Sequence, residues 1–104
     1  MNTKNISQQI QILLNQFSLQ NYDHVISKGN VLLKKNPEYV ILYNLVGSAY
    51  QNNGDHINAK SKFKVGLKLD PNNLALLNNL GLSHKNLLEY DKAEELFLKI
   101  ININ

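Results

Sequence analysis

The sequence contains no cysteine, no tryptophan and no arginine. Without cysteine, disulfides and thiolate metal sites are excluded, and nothing requires an oxidising compartment. All eleven basic residues are lysine, so the net charge of +3 comes without the guanidinium groups that contact bases and phosphates in bidentate fashion. The charge pattern therefore argues against nucleic acid as a specific partner. One alternative left open is a nonspecific polyanion surface formed by Lys60, Lys62, Lys64 and Lys68.

Long apolar stretches are also missing. Residues 1–16 have no continuous apolar run of the length found in signal peptides. No segment approaches the roughly 20 apolar residues that a membrane-spanning helix needs. We therefore expect a cytoplasmic protein without membrane contact.

Groups that could perform catalysis are few and scattered. The three histidines are His24, His56 and His84, and none has a carboxylate or second histidine three or four residues away. Asp55 lies directly beside His56. There is no glycine-rich phosphate loop and no nucleophile elbow. We expect no enzyme activity, no catalytic residues, no cofactor and no metal.

A helical pattern is present in residues 43–71. Tyr43, Val46, Gly47 and Tyr50 share one helix face, with the glycine where a partner helix would come closest. After a break at residues 54–55, a second face carries Ala59, Phe63, Gly66 and Leu67. Pro71 ends this second helix, so the stretch predicts a helix–turn–helix unit.

This unit recurs when the sequence is shifted by 34 residues. The identities are Asn44 with Asn78, Gly47 with Gly81, Ala59 with Ala93, Phe63 with Phe97, and Pro37 with Pro71. The residues resemble the tetratricopeptide repeat pattern, W-x2-L-G-x2-Y, then A-x3-F, then P. This resemblance implies a single all-α domain, 1–104, forming a right-handed superhelix of three helix pairs. The expected repeats are about 6–37, 38–71 and 72–104.

Two departures from the pattern carry structural expectations. The first repeat, with helices predicted at Ile6–Ser18 and Tyr22–Lys35, has Leu13 at the glycine position and Gly29 at the phenylalanine position. Its two helices should therefore pack differently. In the third repeat Leu88 replaces the turn glycine Gly54, so we expect that turn to be built differently too.

The resemblance implies a binding surface on the concave side, lined by the first helix of each repeat. The candidate groove residues are Ile10, Leu14, Phe17, Ile41, Asn44, Leu45, Ser48, Gln51, Ala75, Asn78, Asn79, Leu82 and Lys85. The middle of this groove is rich in amides, which offer both donors and acceptors to the backbone of an extended peptide. The expected function is a non-catalytic scaffold that binds a protein or an extended peptide.

Known subclasses of the family sharpen this expectation. Asn44 and Asn79 match asparagine places of the clamp that binds chaperone C-terminal tails. The basic residues of that clamp are missing here, because Ala75 occupies one of the basic places and Asn79 another. Residues 78–81, NNLG, resemble repeats attached to O-linked N-acetylglucosamine transferases. The alternative function is therefore an N-terminal arm or fragment of a larger bacterial glycosyltransferase-like or other transferase.

The last predicted helix carries more apolar surface than one neighbouring helix can cover. Its candidate edge residues are Leu96, Phe97, Ile100, Ile101 and Ile103. Either the chain is a piece of a longer repeat array, or this edge forms a homodimer. The sequence identifies neither the partner nor the oligomeric state.

Overall fold

The computed structural model describes residues 5–103, which form six helices and no strand. The helices are α1 Ile6–Ser18, α2 Tyr22–Lys35, α3 Val40–Asn52, α4 His56–Leu69, α5 Leu74–Asn86 and α6 Tyr90–Ile103. Connections of three or four residues join helices that pack on each other, so consecutive helices run antiparallel. The predicted bounds of the first two helices are confirmed.

The odd-numbered helices lie on the inside of a curved array. Besides the packing of consecutive helices, α1 contacts α3 and α3 contacts α5. Within residues 5–103, α2 does not contact α4 and α4 does not contact α6. Because only the first helix of each pair approaches its counterpart in the next pair, the array bends toward these helices. The predicted all-α right-handed superhelix of helix pairs is confirmed.

Asparagine and aspartate side chains cap the N-termini of three helices. Asn5 and Gln8 form a capping box at α1, with Asn5 Oδ1 accepting from the Gln8 backbone N–H at 2.8 Å. Asn73 accepts from the backbone N–H of Leu76 at the start of α5, over 3.0 Å. Asp55 caps α4, and hydrogen bonds from the side chain and backbone of Asn58 lower its pKa.

A phenylalanine facing a glycine organises the second and third helix pairs. Phe63 is fully buried, and a Cβ placed on Gly47 would lie 2.5 Å from its ring. Phe97 is half-buried, and a Cβ on Gly81 would lie 2.6 Å from its ring. Since real Cβ atoms do not come this close to carbon, glycine is required at both positions for the helices to pack as they do.

The first helix pair reverses this arrangement. Leu13 on α1 is 2 % exposed, and it occupies the place that Gly47 and Gly81 hold in the other pairs. Gly29 on α2 stands where the other pairs have phenylalanine, and a Cβ there would collide with the Val46 side chain. The predicted difference in packing is confirmed. In this pair the bulky residue, Leu13, lies on the first helix instead of the second. Val46 of the next pair fills the space beside Gly29.

All three turns within the helix pairs have the same backbone conformation. The φ angles of Gln20, Gly54 and Leu88 are 64°, 80° and 64°. In each turn this residue donates its N–H three residues back, for example Gly54 to Gln51 and Leu88 to Lys85, at 3.0 and 2.9 Å. The expectation of a different turn at Leu88 was therefore wrong. The free energy gained when α5 packs against α6 outweighs the roughly 1–2 kcal/mol that a left-handed conformation costs a leucine.

We expect Leu88→Gly to raise the free energy of unfolding by about 0.5–1 kcal/mol. Glycine relieves the left-handed strain, partly offset by its larger entropy in the unfolded chain. Little packing is lost, because the Leu88 side chain is 71 % exposed. Urea denaturation would measure the change. Leu87→Gly is the matched control: φ at Leu87 is −91°, so glycine should destabilise there. A loss of stability with Leu88→Gly would contradict this account.

Candidate functional site

Two pairs of polar side chains join α3 to α5 on the inside of the curve. The Asn79 Nδ2 donates a hydrogen bond to Asn44 Oδ1 over 2.7 Å. Ser83, one turn after Asn79 on α5, donates from its Oγ to Gln51 Oε1 over 2.5 Å. These bonds align three amides and the Ser83 hydroxyl in a row across successive repeats. We call this set the amide row: Asn44, Gln51, Asn79 and Ser83.

The amide row retains hydrogen-bonding capacity. The bond between Asn44 and Asn79 uses one of two amide hydrogens of Asn79 and one lone pair of the Asn44 carbonyl. The NH₂ group of Asn44 and the carbonyl of Asn79 are not part of that bond. Both side chains are half-buried, so solvent reaches them. The row can therefore offer a donor and an acceptor side by side, the pattern that a peptide backbone presents.

The structure places the predicted groove residues at very different depths. Ala75, Asn78, Lys85 and Ile41 are exposed, while Leu14, Phe17, Asn44, Ser48, Gln51, Asn79 and Leu82 are half-buried. Ile10 and Leu45 are only 7 % and 5 % exposed, and both belong to the main hydrophobic core. Their assignment to the groove surface needs correction, because their side chains pack between helices. The apolar contribution near the N-terminal end is left to Leu14 and Phe17.

Ser83 is a member of the amide row that the sequence pattern did not indicate. It is fully buried, at the position where the second repeat has the equally buried Ala49. A hydroxyl in a position otherwise occupied by alanine needs a hydrogen-bond partner, and Gln51 supplies it across the repeat boundary. The serine in place of alanine was the feature of the sequence that could have indicated a polar contact here.

The sequence pattern also failed to indicate a charged cluster where α4, α5 and α6 meet. His84 is 4 % exposed and its Nδ1 lies 2.8 Å from Glu89 Oε1. Lys60 Nζ of α4 reaches the same oxygen at 3.1 Å, and Lys92 is 3.9 Å from the other oxygen. The hydrogen bond from His84, followed by that from Lys60, lowers the pKa of Glu89 from 4.5 to about 2. Glu89 therefore links α4, α5 and α6.

We expect the contribution of Glu89 to stability to depend on pH. Its pKa is lowered in the folded protein, so the contribution is complete above about pH 4.5 and is lost as the pH falls toward 2. The difference in melting temperature between the unmodified chain and Glu89→Gln should shrink over this interval. Thermal melts across the range would measure it, with exposed Glu94→Gln as the control. A difference that stays constant down to about pH 2 would contradict the assignment.

In the part of the chain that the structure describes, the other two histidines belong to no metal-binding cluster. His24 is exposed, and His56 is half-buried with no hydrogen-bond partner for its Nδ1 within residues 5–103. The same residues contain no cluster of three or more histidine and carboxylate groups that could hold a metal. Among the described helices, none has the length and apolar character to cross a membrane.

The predicted C-terminal edge divides into two parts. Leu96, Phe97 and Ile100 are half-buried, whereas Ile101 and Ile103 are 67 % and 40 % exposed. The sequence pattern missed Tyr90 and Leu98, which are 59 % and 52 % exposed on the same helix. Helix α6 thus has a largely uncovered apolar face, in addition to the concave surface.

Two curated proteins resemble the chain in sequence. Both are described as "Uncharacterized protein ycf37", one from Pyropia yezoensis and one from Porphyra purpurea, and both are 31 % identical, over 94 and 83 residues. The aligned parts cover 89 % and 77 % of this chain but only 49 % and 48 % of those proteins. The chain therefore spans about half the length of the curated relatives it matches.

Solved structures share the fold at low sequence identity. The structure entitled "First TPR of Spaghetti (RPAP3) bound to HSP90 peptide SRMEEVD" superposes with a TM-score of 0.87 at 16 % identity, covering 90 % of this chain and 75 % of that one. The Sgt2 TPR domain from Aspergillus fumigatus gives 0.83 at 22 %, covering 88 % and 61 %. A MamA double mutant gives 0.85 at 17 %, covering 89 % and 52 %. At these identities the likeness concerns the fold alone.

The family model for the tetratricopeptide repeat matches residues 40–73 and 74–104, well over half of the sequence. These matches cover the two helix pairs in which phenylalanine faces glycine, and the divergent first pair lies outside them. The chain belongs to the tetratricopeptide repeat family.

Proposed function

We propose that the chain is a non-catalytic scaffold whose concave side binds an extended peptide segment of a partner protein. The observation that carries the proposal is the amide row, held in place by hydrogen bonds between α3 and α5. An extended peptide presents alternating N–H and C=O groups, and these match the paired donor and acceptor of Asn44 and Asn79. The half-buried Leu14 and Phe17 add apolar contact toward one end.

The composition of the groove favours a peptide bound mainly through its backbone. Lys85 is the only lysine among the groove residues, and it is exposed at the end of α5. A clamp for an acidic C-terminus needs several cations converging on one carboxylate, and here Ala75 and Asn79 stand at two of those places. One structural neighbour was solved with the HSP90 peptide SRMEEVD. We expect this chain to bind that acidic peptide poorly.

A homodimer through α6 is a second proposed association. It rests on the exposed Ile101 and Ile103, which a second copy could cover. The α6 surface used by this homodimer is separate from the amide row. A second copy bound there would exclude any other helix from the same face of α6. Sedimentation of the unmodified chain and of Ile101→Lys over a range of concentrations would reveal it.

We expect Asn44→Ala combined with Asn79→Ala to preserve the fold and weaken peptide binding about tenfold. Removing both partners of one hydrogen bond leaves neither group unsatisfied, while each lost bond to the ligand is worth about 0.5–1.5 kcal/mol. The probe is a peptide selected from a random library on the unmodified chain. Calorimetry gives its affinity, and a urea melt shows whether the double variant is folded.

The matched control is Asn52→Ala with Asn58→Ala. These asparagines make local bonds, to Ser48 O and to Asp55, and neither belongs to the groove. The control variant should bind the selected peptide with unchanged affinity. Full affinity in the Asn44→Ala, Asn79→Ala variant would place peptide binding elsewhere on the molecule and contradict the proposal.

A further inference from the structure

The convex side of the array carries one pattern of residues twice. Lysine, valine and lysine follow one another at intervals of three residues on α2, and the same pattern returns 34 residues later on α4. We call these two sets the lysine motifs: Lys28, Val31 and Lys34 on α2, and Lys62, Val65 and Lys68 on α4. Residues three apart share one helix face, so each motif forms a stripe along its helix. Lys62 is half-buried and the other five residues are exposed.

Positive charge is concentrated on the two helices that carry the motifs. Helix α4 contains four lysines and no carboxylate, and α2 contains three lysines and one carboxylate, Asp23 in its first turn. By contrast, α1 and α3 contain no lysine, aspartate or glutamate. The convex side is therefore strongly basic, whereas the concave side beside it is almost uncharged.

Most of this charge is unpaired in the part of the chain that the structure describes. Lys60 pairs with Glu89 at 3.1 Å and is therefore not available to a ligand. Within residues 5–103, none of the four motif lysines forms an ion pair with a carboxylate. Burial lowers the pKa of Lys62, because the ammonium group is partly desolvated. An anion bound at this face would stabilise these charges.

The residues between the lysines indicate which kind of anion fits. Val31 and Val65 are 49 % and 37 % exposed in the middle of their stripes. A phosphate backbone has no use for aliphatic contact, whereas an acidic peptide can carry aliphatic side chains between its carboxylates. Neither α2 nor α4 exposes an aromatic residue on which a nucleic-acid base could stack or which could anchor the face in a lipid interface.

The curvature of the array points the same way. The even-numbered helices lie on the outside of the bend, and α2 and α4 do not contact each other within residues 5–103. A ligand that uses both motifs must therefore follow a convex surface from one helix to the next. A flexible polypeptide can do so, whereas a bilayer is flat and a DNA duplex is stiff over this distance.

From these observations we propose that the two lysine motifs bind an acidic segment of a partner protein, in which carboxylates alternate with aliphatic residues. The carboxylates pair with the lysines of α2 and α4, and the aliphatic side chains contact Val31 and Val65. The segment must reach both helices, so a short acidic C-terminus should bind weakly here as well as in the groove. This surface is separate from the amide row and does not depend on the function proposed for it.

Matched acidic peptides test the proposal. The probes are two synthetic polyglutamate peptides in which every fourth residue is leucine in one and serine in the other. Each is titrated into the full chain at about 0.1 M salt, where charges more than roughly 10 Å apart are screened. Calorimetry gives the affinity, and ¹⁵N shifts should locate binding on α2 and α4. We expect Lys34→Gln with Lys68→Gln to weaken binding about fivefold, as for the loss of two exposed ion pairs.

Lys92→Gln with Lys99→Gln is the matched control for charge. It removes the same two positive charges from exposed positions on α6, where Asp91, Glu94 and Glu95 are also exposed. This variant should bind both acidic peptides with unchanged affinity.

Val31→Ser with Val65→Ser separates recognition from general attraction between opposite charges. The unmodified chain should bind the leucine peptide about threefold more tightly than the serine peptide, because leucine buries apolar surface against the valines. The double valine variant should lose this preference while it still binds both peptides through the lysines.

Three results would overturn the proposal. The first is equal affinity of the leucine peptide for the unmodified chain and for the Lys34→Gln, Lys68→Gln variant. The second is equal affinity of the two peptides for the unmodified chain. The third is that neither peptide binds, while duplex DNA or vesicles of phosphatidylserine and phosphatidylcholine in equal parts bind the chain through Lys34 and Lys68. That result would assign the face to nucleic acid or to a membrane.

Binding of the library-selected peptide at the amide row is the independent reference. It should be unaffected by Lys34→Gln with Lys68→Gln, because both lysines lie on the outer helices. Failure of one proposal is therefore distinguishable from failure of the other.

Discussion

Phe63→Ala is expected to lower the free energy of unfolding by about 3–5 kcal/mol, a large share of the stability of a domain of this size. The ring is fully buried and packs with Ala59, Leu76 and Leu80 from two repeats. Alanine leaves a cavity at the junction of α3, α4 and α5, which the surrounding helices can close only in part. Urea denaturation followed by circular dichroism would give the change.

The third repeat provides a matched control at the equivalent residue, Phe97. Its ring contacts Gly81 in the same way, but it is half-buried because no helix covers the outer side of α6 within the described residues. Phe97→Ala should therefore cost roughly half as much. Equal losses for both variants would mean that burial by the next repeat contributes little, which would contradict the account of inter-repeat packing.

The second large effect is expected from Gly47→Leu, which should destabilise the fold by about 2–3 kcal/mol through overpacking. The new Cβ alone would lie 2.5 Å from the Phe63 ring, and the ring is enclosed on all sides. Either α3 and α4 separate or the ring leaves its position. The same denaturation experiment measures the loss.

Gly81→Leu is the comparison for that variant. Its Cβ would lie 2.6 Å from the Phe97 ring, nearly the same distance. Because Phe97 is half-buried, its ring can move outward, and the loss should be about 1 kcal/mol. A Gly47→Leu chain with an unchanged denaturation midpoint would show that the helix pairing described above is wrong.

Most of the fold could be predicted because the features that determine it are local and repeat. The 34-residue recurrence of Gly, Ala, Phe and Pro fixes the helix pairs, and the predicted limits of Ile6–Ser18 and Tyr22–Lys35 match the structure. The turn at Leu88 was wrongly predicted because residue preference was taken to decide its conformation. In fact the packing of α5 on α6 imposes a left-handed φ on a leucine.

The candidate site was harder to predict because its contacts cross repeats. Asn44 and Asn79 could be placed on one face, but their mutual hydrogen bond joins residues 35 positions apart. Ser83 and Glu89 were missed for the same reason, since their partners Gln51 and Lys60 belong to another repeat. Ile10 and Leu45 were assigned to the surface because helix periodicity gives a direction but not how closely neighbouring helices approach.

The measurement that tests the concave binding proposal most directly is a map of ¹⁵N chemical shifts, backbone and side-chain amide, while a library-selected peptide is titrated into the unmodified chain. The proposal predicts the largest shifts at Asn44, Gln51 and Asn79, with the side-chain NH₂ signals of the two asparagines among them. Shifts confined to α6 or to the outer helices α2 and α4, with the amide row unchanged, would contradict it.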